Sequence, residues 1–312
     1  MEVPNEFIPP TPPTRQAPAP VVVLLLLAAL SLLGVVLGSA LAFGWGQMQG
    51  VNLQTAIYSL NEQSERSLRD VIRMANLLNH IVTFTFPALL VALVLYKRDW
   101  IAFLKLQHFP KLSILTVGVI FVIAAFPFVQ ITYWLNHQLP LPEWMREMEK
   151  TTSDMVKALL VMDSPAELLF NLLIIAVIPA IGEELIFRGI LQQQLQRVLR
   201  NPVAAIWLAA ILFSAIHMQF VGFLPRMVLG AALGYIFYWT RSLWMPIIAH
   251  FMMNALQVVG QYVTEGKLTE NELTELKTAQ WIAGFVSLLI TCALGYYLWK
   301  KSKEKTLEEK LD

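Results

Sequence analysis

Eight stretches of this sequence are each apolar for close to the ~20 residues that a helix needs to cross a bilayer. They run from Val21 to about Phe43, then near 77–96, 113–135, 166–187, 203–219, 223–240, 243–262 and 280–299. Composition agrees: 56% of residues are hydrophobic and only 14% charged, where a soluble domain carries about a quarter charged. With a mean hydropathy of +0.57, the chain cannot cover itself with polar surface and must be dissolved in lipid. The expected fold class is an all-α polytopic membrane protein of about eight transmembrane helices, with the chemistry in its C-terminal half. A net charge of +1 gives no reason to expect a nucleic-acid partner, and one cysteine, Cys292, forbids an intrachain disulfide.

The spaces between runs organise the rest. Residues 1–20 hold seven prolines and no apolar periodicity, so they read as a disordered Pro-rich leader. The first run ends in an A-x-A pattern at Ala40 and Ala42, as a cleaved signal does. It is longer than a signal core, however, and lacks a basic flank, so a retained helix is expected. Residues 21–165 then form N-terminal membrane helices and an amphipathic segment at 136–165, where Trp144, Met148 and Val156 mix with Glu143, Arg146 and Lys150. Residues 166–260 form the core that carries the chemistry, and 261–312 a last membrane helix with a charged tail.

Lysine and arginine set the orientation. Lys97, Arg98, Lys105 and Lys111, then Arg188, Arg197 and Arg200, then Arg241, then Lys300, Lys301, Lys303 and Lys305 all fall on one side of an alternating chain. The positive-inside rule makes that side cytoplasmic and places both termini there. Arg66, Arg69 and Arg73 run against this pattern.

Ionisable groups within a span cost about 2.5–3.5 kcal/mol each on insertion scales, so each demands a reason. The exceptions to an apolar interior are expected to cluster in the second half. Pro179 and Gly182 loosen the fourth run just before Glu183 and Glu184. Arg188 follows Glu184 by four residues, on the same helix face and in the favourable order, so the two can neutralise each other. Glu183, rotated by about 100°, has no local cation and is a candidate general base. Phe213 and His217 lie four apart in the fifth run, and His250 and Asn254 four apart in the seventh. From three spans these groups can converge on one cavity. Glu183 and His217 would activate a water, while His250 and Asn254 would donate to the oxyanion of peptide hydrolysis.

The ordered motifs E-E-x-x-x-R (Glu183, Glu184, Arg188, then Gly189), F-x-x-x-H (Phe213, His217) and H-x-x-x-N (His250, Asn254) resemble the CPBP family. That family joins type II CAAX prenyl endopeptidases with bacteriocin-processing and immunity proteins. The resemblance spans about 166–260 and implies an intramembrane endopeptidase whose site opens to the cytoplasm. It casts Glu183 as the catalytic glutamate, His217 as its water-orienting partner, His250 and Asn254 as the oxyanion hole, and Glu184 and Arg188 as support.

Two histidines and a carboxylate (His217, His250, Glu183) are also a zinc ligand set. Without H-E-x-x-H, and with an asparagine suited to carbonyl binding, a metal-free glutamate mechanism is favoured and zinc is the alternative. The expected partners are the bilayer and a peptide or membrane-protein substrate, prenylated or not. The rival functions are a non-catalytic immunity or scaffold protein of the same fold, and a proton-coupled transporter. Internal repeats and paired broken helices, which would mark the transporter, are not found. For Glu183 to reach the depth of His217, the fourth helix must continue to about residue 197, roughly 45 Å at about 1.5 Å per residue, with a bend at Pro179.

Overall fold

A computed structural model describes residues 18–264 and 276–311. Nearly all of the Pro-rich leader and most of the acidic 263–279 segment fall outside the described residues. The described residues are 83% helical. In chain order the helices are α1 Pro20–Met48, α2 Leu53–Ser59, α3 Arg66–Phe103, α4 Leu112–His137, α5 Glu143–Leu159, α6 Pro165–Leu199, α7 Pro202–Ala215, α8 Phe223–Thr240, α9 Trp244–Val263 and α10 Thr278–Leu311. Among the described residues, five of these (α1, α3, α4, α6 and the Thr278–Glu304 part of α10) are long and apolar enough to cross a membrane. The count of eight crossings rests on adding α7, α8 and α9, which fold as helices where the apolar runs place them but are shorter or less apolar. The chain is an integral membrane protein.

The expected long fourth helix is present. α6 has 35 residues, about 50 Å at 1.5 Å per residue. Two π-helical segments, Leu172–Val177 and Leu185–Gln192, interrupt it. The irregularity expected at Pro179 falls immediately before that residue. α3 repeats the device: Ile81–Thr85 is π-helical and Pro87 follows within two residues. A proline has no N–H and its ring crowds the carbonyl four residues back. Widening the turn before it relieves that crowding while the helix continues.

α1 is integrated into the bundle. Its Val23 and Leu27 are buried in a core cluster with Val91 of α3 and Leu185 and Ile190 of α6. Gly34 and Gly38, a G-x-x-x-G pair, bring α1 against the backbone of α3. A Cβ on Gly34 would sit 2.5 Å from the Val82 carbonyl oxygen, and one on Gly38 would sit 2.5 Å from Asn79 Oδ1. A second cluster joins α4, α8, α9 and α10 through Phe121, Ile236, Met245 and Leu298. The 136–165 segment does contain an amphipathic helix, α5.

At the α3 and α6 ends nearest α5, two of the three arginines that run against the topology pattern are buried, while Arg66 is exposed. Arg73 is fully buried and donates to Asp70 at 2.7 Å, Glu167 at 3.4 Å and the Leu159 and Val161 carbonyls. Arg69 pairs with Asp163 at 2.8 Å. Both cations also face the buried Glu167, at 3.7 Å from Arg69 and 3.4 Å from Arg73, so they are held inside the protein instead of sitting free at a membrane surface.

Candidate functional site

Glu183 and Glu184 lie between the two π segments of α6, and both are buried. Glu184 and Arg188 form the expected pair. Arg188 Nη1 donates to Glu184 Oε1 at 2.6 Å, its Nη2 donates to the Gly230 carbonyl at 2.7 Å, and the guanidinium lies 5.0 Å over the Phe213 ring. Gln192, one turn beyond Arg188, donates to the Gly234 carbonyl at 3.0 Å, so α6 is clamped to α8 through two backbone oxygens, and a Cβ on Gly234 would meet Gln192 Oε1 at 2.9 Å.

Glu184 has a second role that the spacing does not announce. Its Oε1 also lies 2.9 Å from His250 Nδ1. A carboxylate accepts, so Nδ1 carries the proton, and His250 Nε2 turns toward Glu183, 3.8 Å from Oε2. That separation is too long for a hydrogen bond. Asn254, one turn further along α9, donates from Nδ2 to the Ile175 carbonyl at 3.1 Å. Ile175 is four residues before Pro179, whose missing N–H cannot serve that carbonyl. Asn254 therefore caps the defect that the proline creates and keeps one amide N–H to spare.

His217 corrects an expectation. The apolar run 203–219 puts His217 inside a helix, but α7 stops at Ala215 and His217 sits in the turn that follows, with Met218 at φ 52°. The last carbonyls of a helix lack intrahelical partners, and His217 Nδ1 lies 2.7 Å from the orphan Phe213 carbonyl. The side chain thus completes the helix end, and its Nε2 is left with a lone pair. Phe213 packs edge-on against both His217 and His250, with ring centroids at 5.0 and 6.0 Å. It is the wedge that spaces the two histidines.

The second correction concerns Glu183. Its neighbour is a residue of the first half, His80, whose Nε2 lies 3.2 Å from Glu183 Oε1. Ionisable groups inside the spans do not cluster only in the second half. His80 belongs to no spaced motif, so the only available sign was its place inside the 77–96 apolar run. Gly182, read as a loosening residue, is a close-approach glycine: a Cβ there would meet Thr85 Oγ1 at 2.7 Å and His80 Cε1 at 3.1 Å. A cavity of about 800 Å³ opens elsewhere, between Trp45, Arg66, Asp70 and Glu167, and Glu183 is not part of it.

With this geometry in place, comparison with known proteins is direct. Residues 165–256 match the family of type II CAAX prenyl endopeptidases, Rce1-like. Over that segment the chain is similar to the CAAX-type intramembrane proteases. The match begins with α6 and ends within α9, so it holds both glutamates, Arg188, Phe213, His217, His250 and Asn254, and the resemblance read from the three motifs is borne out. A 108-residue stretch is 26% identical to the uncharacterized protein YpbD of Bacillus subtilis (strain 168), over 32% of this chain and 52% of that protein. The alignment thus spans about half the length of that relative. No solved structure matches the chain at a significant level. His80 lies outside the Rce1-like segment.

Proposed function

We propose that the chain is an endopeptidase that hydrolyses a peptide bond within the membrane, with Glu183 as base. The observation that carries this reading is the division of labour between adjacent glutamates. Glu184 is consumed by Arg188 and His250, whereas Glu183 keeps Oε2 without a bonded partner and facing His250 Nε2. A water held between Glu183 Oε2 and the lone pair of His217 Nε2 attacks the carbonyl carbon and passes its proton to Glu183. The carbonyl oxygen becomes an oxyanion that accepts from His250 Nε2–H and the spare Asn254 N–H. As the tetrahedral intermediate collapses, the C–N bond breaks and Glu183 returns the proton to the leaving amine. In this mechanism His250 is anchored on Glu184 through Nδ1 and presents Nε2–H to the oxyanion.

We favour a metal-free reaction, with zinc as the alternative, because the Asn254 amide suits a carbonyl oxygen better than a metal ion; the Nε2 atoms of both histidines stay open. His250 Nδ1 is engaged by Glu184, His217 Nδ1 by the Phe213 carbonyl, and the Asn254 amide by Ile175. The proposed substrate is a peptide or membrane-protein segment, with a prenylated C-terminal peptide as the first candidate from the Rce1-like match. The burial of Arg69 and Arg73 against Glu167 removes two cations from the outer count and so supports the orientation that places both termini in the cytoplasm.

The test is incubation of the purified chain in nanodiscs with farnesylated and unmodified C-terminal peptides, with products identified by mass spectrometry. Wild type should cleave, and Glu183→Gln and His217→Ala should not, although both remain folded. Cleavage by Glu183→Gln at the wild-type rate would overturn the assignment.

A further inference from the structure

We infer that His80 is a positioning residue for Glu183, supplied to the site by the half of the chain that lies outside the Rce1-like segment; the inference rests on Glu183 being the catalytic base. Three observations converge. His80 Nε2 lies 3.2 Å from Glu183 Oε1. The imidazole is stacked on Phe84 with centroids 4.5 Å apart and planes 19° apart, which fixes the ring plane. Its Nδ1 is buried and has no hydrogen-bond partner.

These facts settle the tautomer. A carboxylate oxygen only accepts, so Nε2 carries a proton; Nδ1 has no acceptor, and a second proton there would be buried unsatisfied. His80 is therefore neutral and donates one hydrogen bond to Oε1. That bond assigns the two oxygens of Glu183. Oε1 is held, and Oε2, facing His250 across 3.8 Å, is the oxygen free to take the proton from water.

The surrounding structure is shaped to hold this contact. His80 is the last residue before the π-helical Ile81–Thr85, and π segments are frequent at functional sites. Gly34 and Gly38 of α1 press on the Asn79–Thr83 backbone from behind. Gly182 admits the face of His80, Phe84 and Thr85 from the front. α1 and α3 thus act as a rigid back wall that aims one donor at the base.

The test uses the full chain in nanodiscs with a farnesylated C-terminal peptide as probe. His80→Phe keeps the stack on Phe84 but removes the donor, and kcat should fall on the order of tenfold to a hundredfold, the worth of one hydrogen bond to a charged group, with KM unchanged. His80→Gln restores an N–H donor and should recover most of the loss. Equal kcat in wild type and His80→Phe would overturn the inference, and so would His80→Gln being as slow as His80→Phe. A second readout needs no turnover: ¹⁵N solid-state NMR of histidine-labelled protein in lipid, with His80 identified by its loss in His80→Gln. It should show a neutral ring protonated on Nε2 whose signal shifts in Glu183→Gln. A ring protonated on Nδ1 refutes the inference whatever the activity. A wild type that cleaves none of the peptides yet shows this signal refutes the protease reading and leaves the hydrogen bond standing.

Discussion

Arg188 offers the sharpest test of how the site is held together. It is 1% exposed and Glu184 is 0% exposed. Replacing Arg188 by methionine, which fills similar space, strands a buried carboxylate whose Oε2 already lacks a partner. His250 remains as its one neighbour through Oε1. Breaking a buried pair from one side costs about 3–5 kcal/mol, and the loss of the second donor on the mid-helix Gly230 carbonyl adds to this. At ~2–4 °C per kcal/mol for a large domain, the melting midpoint should fall by roughly 6–20 °C. The natural assay is intrinsic fluorescence of the nine tryptophans during heating in nanodiscs. Removing both charges, as Glu184→Leu with Arg188→Met, should recover much of the loss, because no lone charge stays buried. Only the deficit at Gly230, on the order of 1 kcal/mol, should persist. The double variant should nonetheless be inactive, since His250 loses the carboxylate that orients it. A midpoint unchanged in Arg188→Met would show that the guanidinium reaches water, and a double variant no more stable than the single would refute the charge argument.

Asn254→Ala should slow cleavage by about 10²–10³, the worth of one oxyanion donor. It should also lower the melting midpoint slightly, because the Ile175 carbonyl loses its cap; an unchanged rate would remove Asn254 from the chemistry. Prolonged chelation should leave wild-type activity intact with no stoichiometric metal, and zinc at one per chain needed for activity would sink the metal-free reading. Epitope tags at the two termini should become accessible only after cells are permeabilised, and a terminus labelled from outside would reverse the orientation argued from the lysines and arginines.

Much of this architecture was legible because lipid imposes period and length on a sequence. Every apolar run became a helix, and the Glu184–Arg188 pair followed from i, i+4 spacing alone. The length of α6 was also readable, since Glu183 had to be carried to the depth of His217. Three things were not. His80 reaches Glu183 through a contact 103 residues apart in sequence, and no local rule links them. The hydrogen bond from His250 to Glu184 joins α9 to α6, so the spacing within either helix is silent about it. The end of α7 before His217 was hidden because the apolar run continues past it. What stops the helix is Met218 in a left-handed conformation, while the His217 side chain closes the exposed Phe213 carbonyl.

The π-helical segment Leu172–Val177 also has a consequence for how such a chain can change length. A π bulge holds one residue more than an α-helix over the same rise. Loss of one residue there, such as the exposed Leu173, would turn the segment α-helical and leave both flanks where they are. Glu167 would still meet Arg73, and Glu183 would still meet His80. The same deletion between Ile178 and Gly182 would swing every later side chain by about 100° and carry Glu183 off its partner. Insertions and deletions among kindred chains should therefore concentrate in this one wide turn, which works as a slack link between a fixed outer end and a fixed catalytic register.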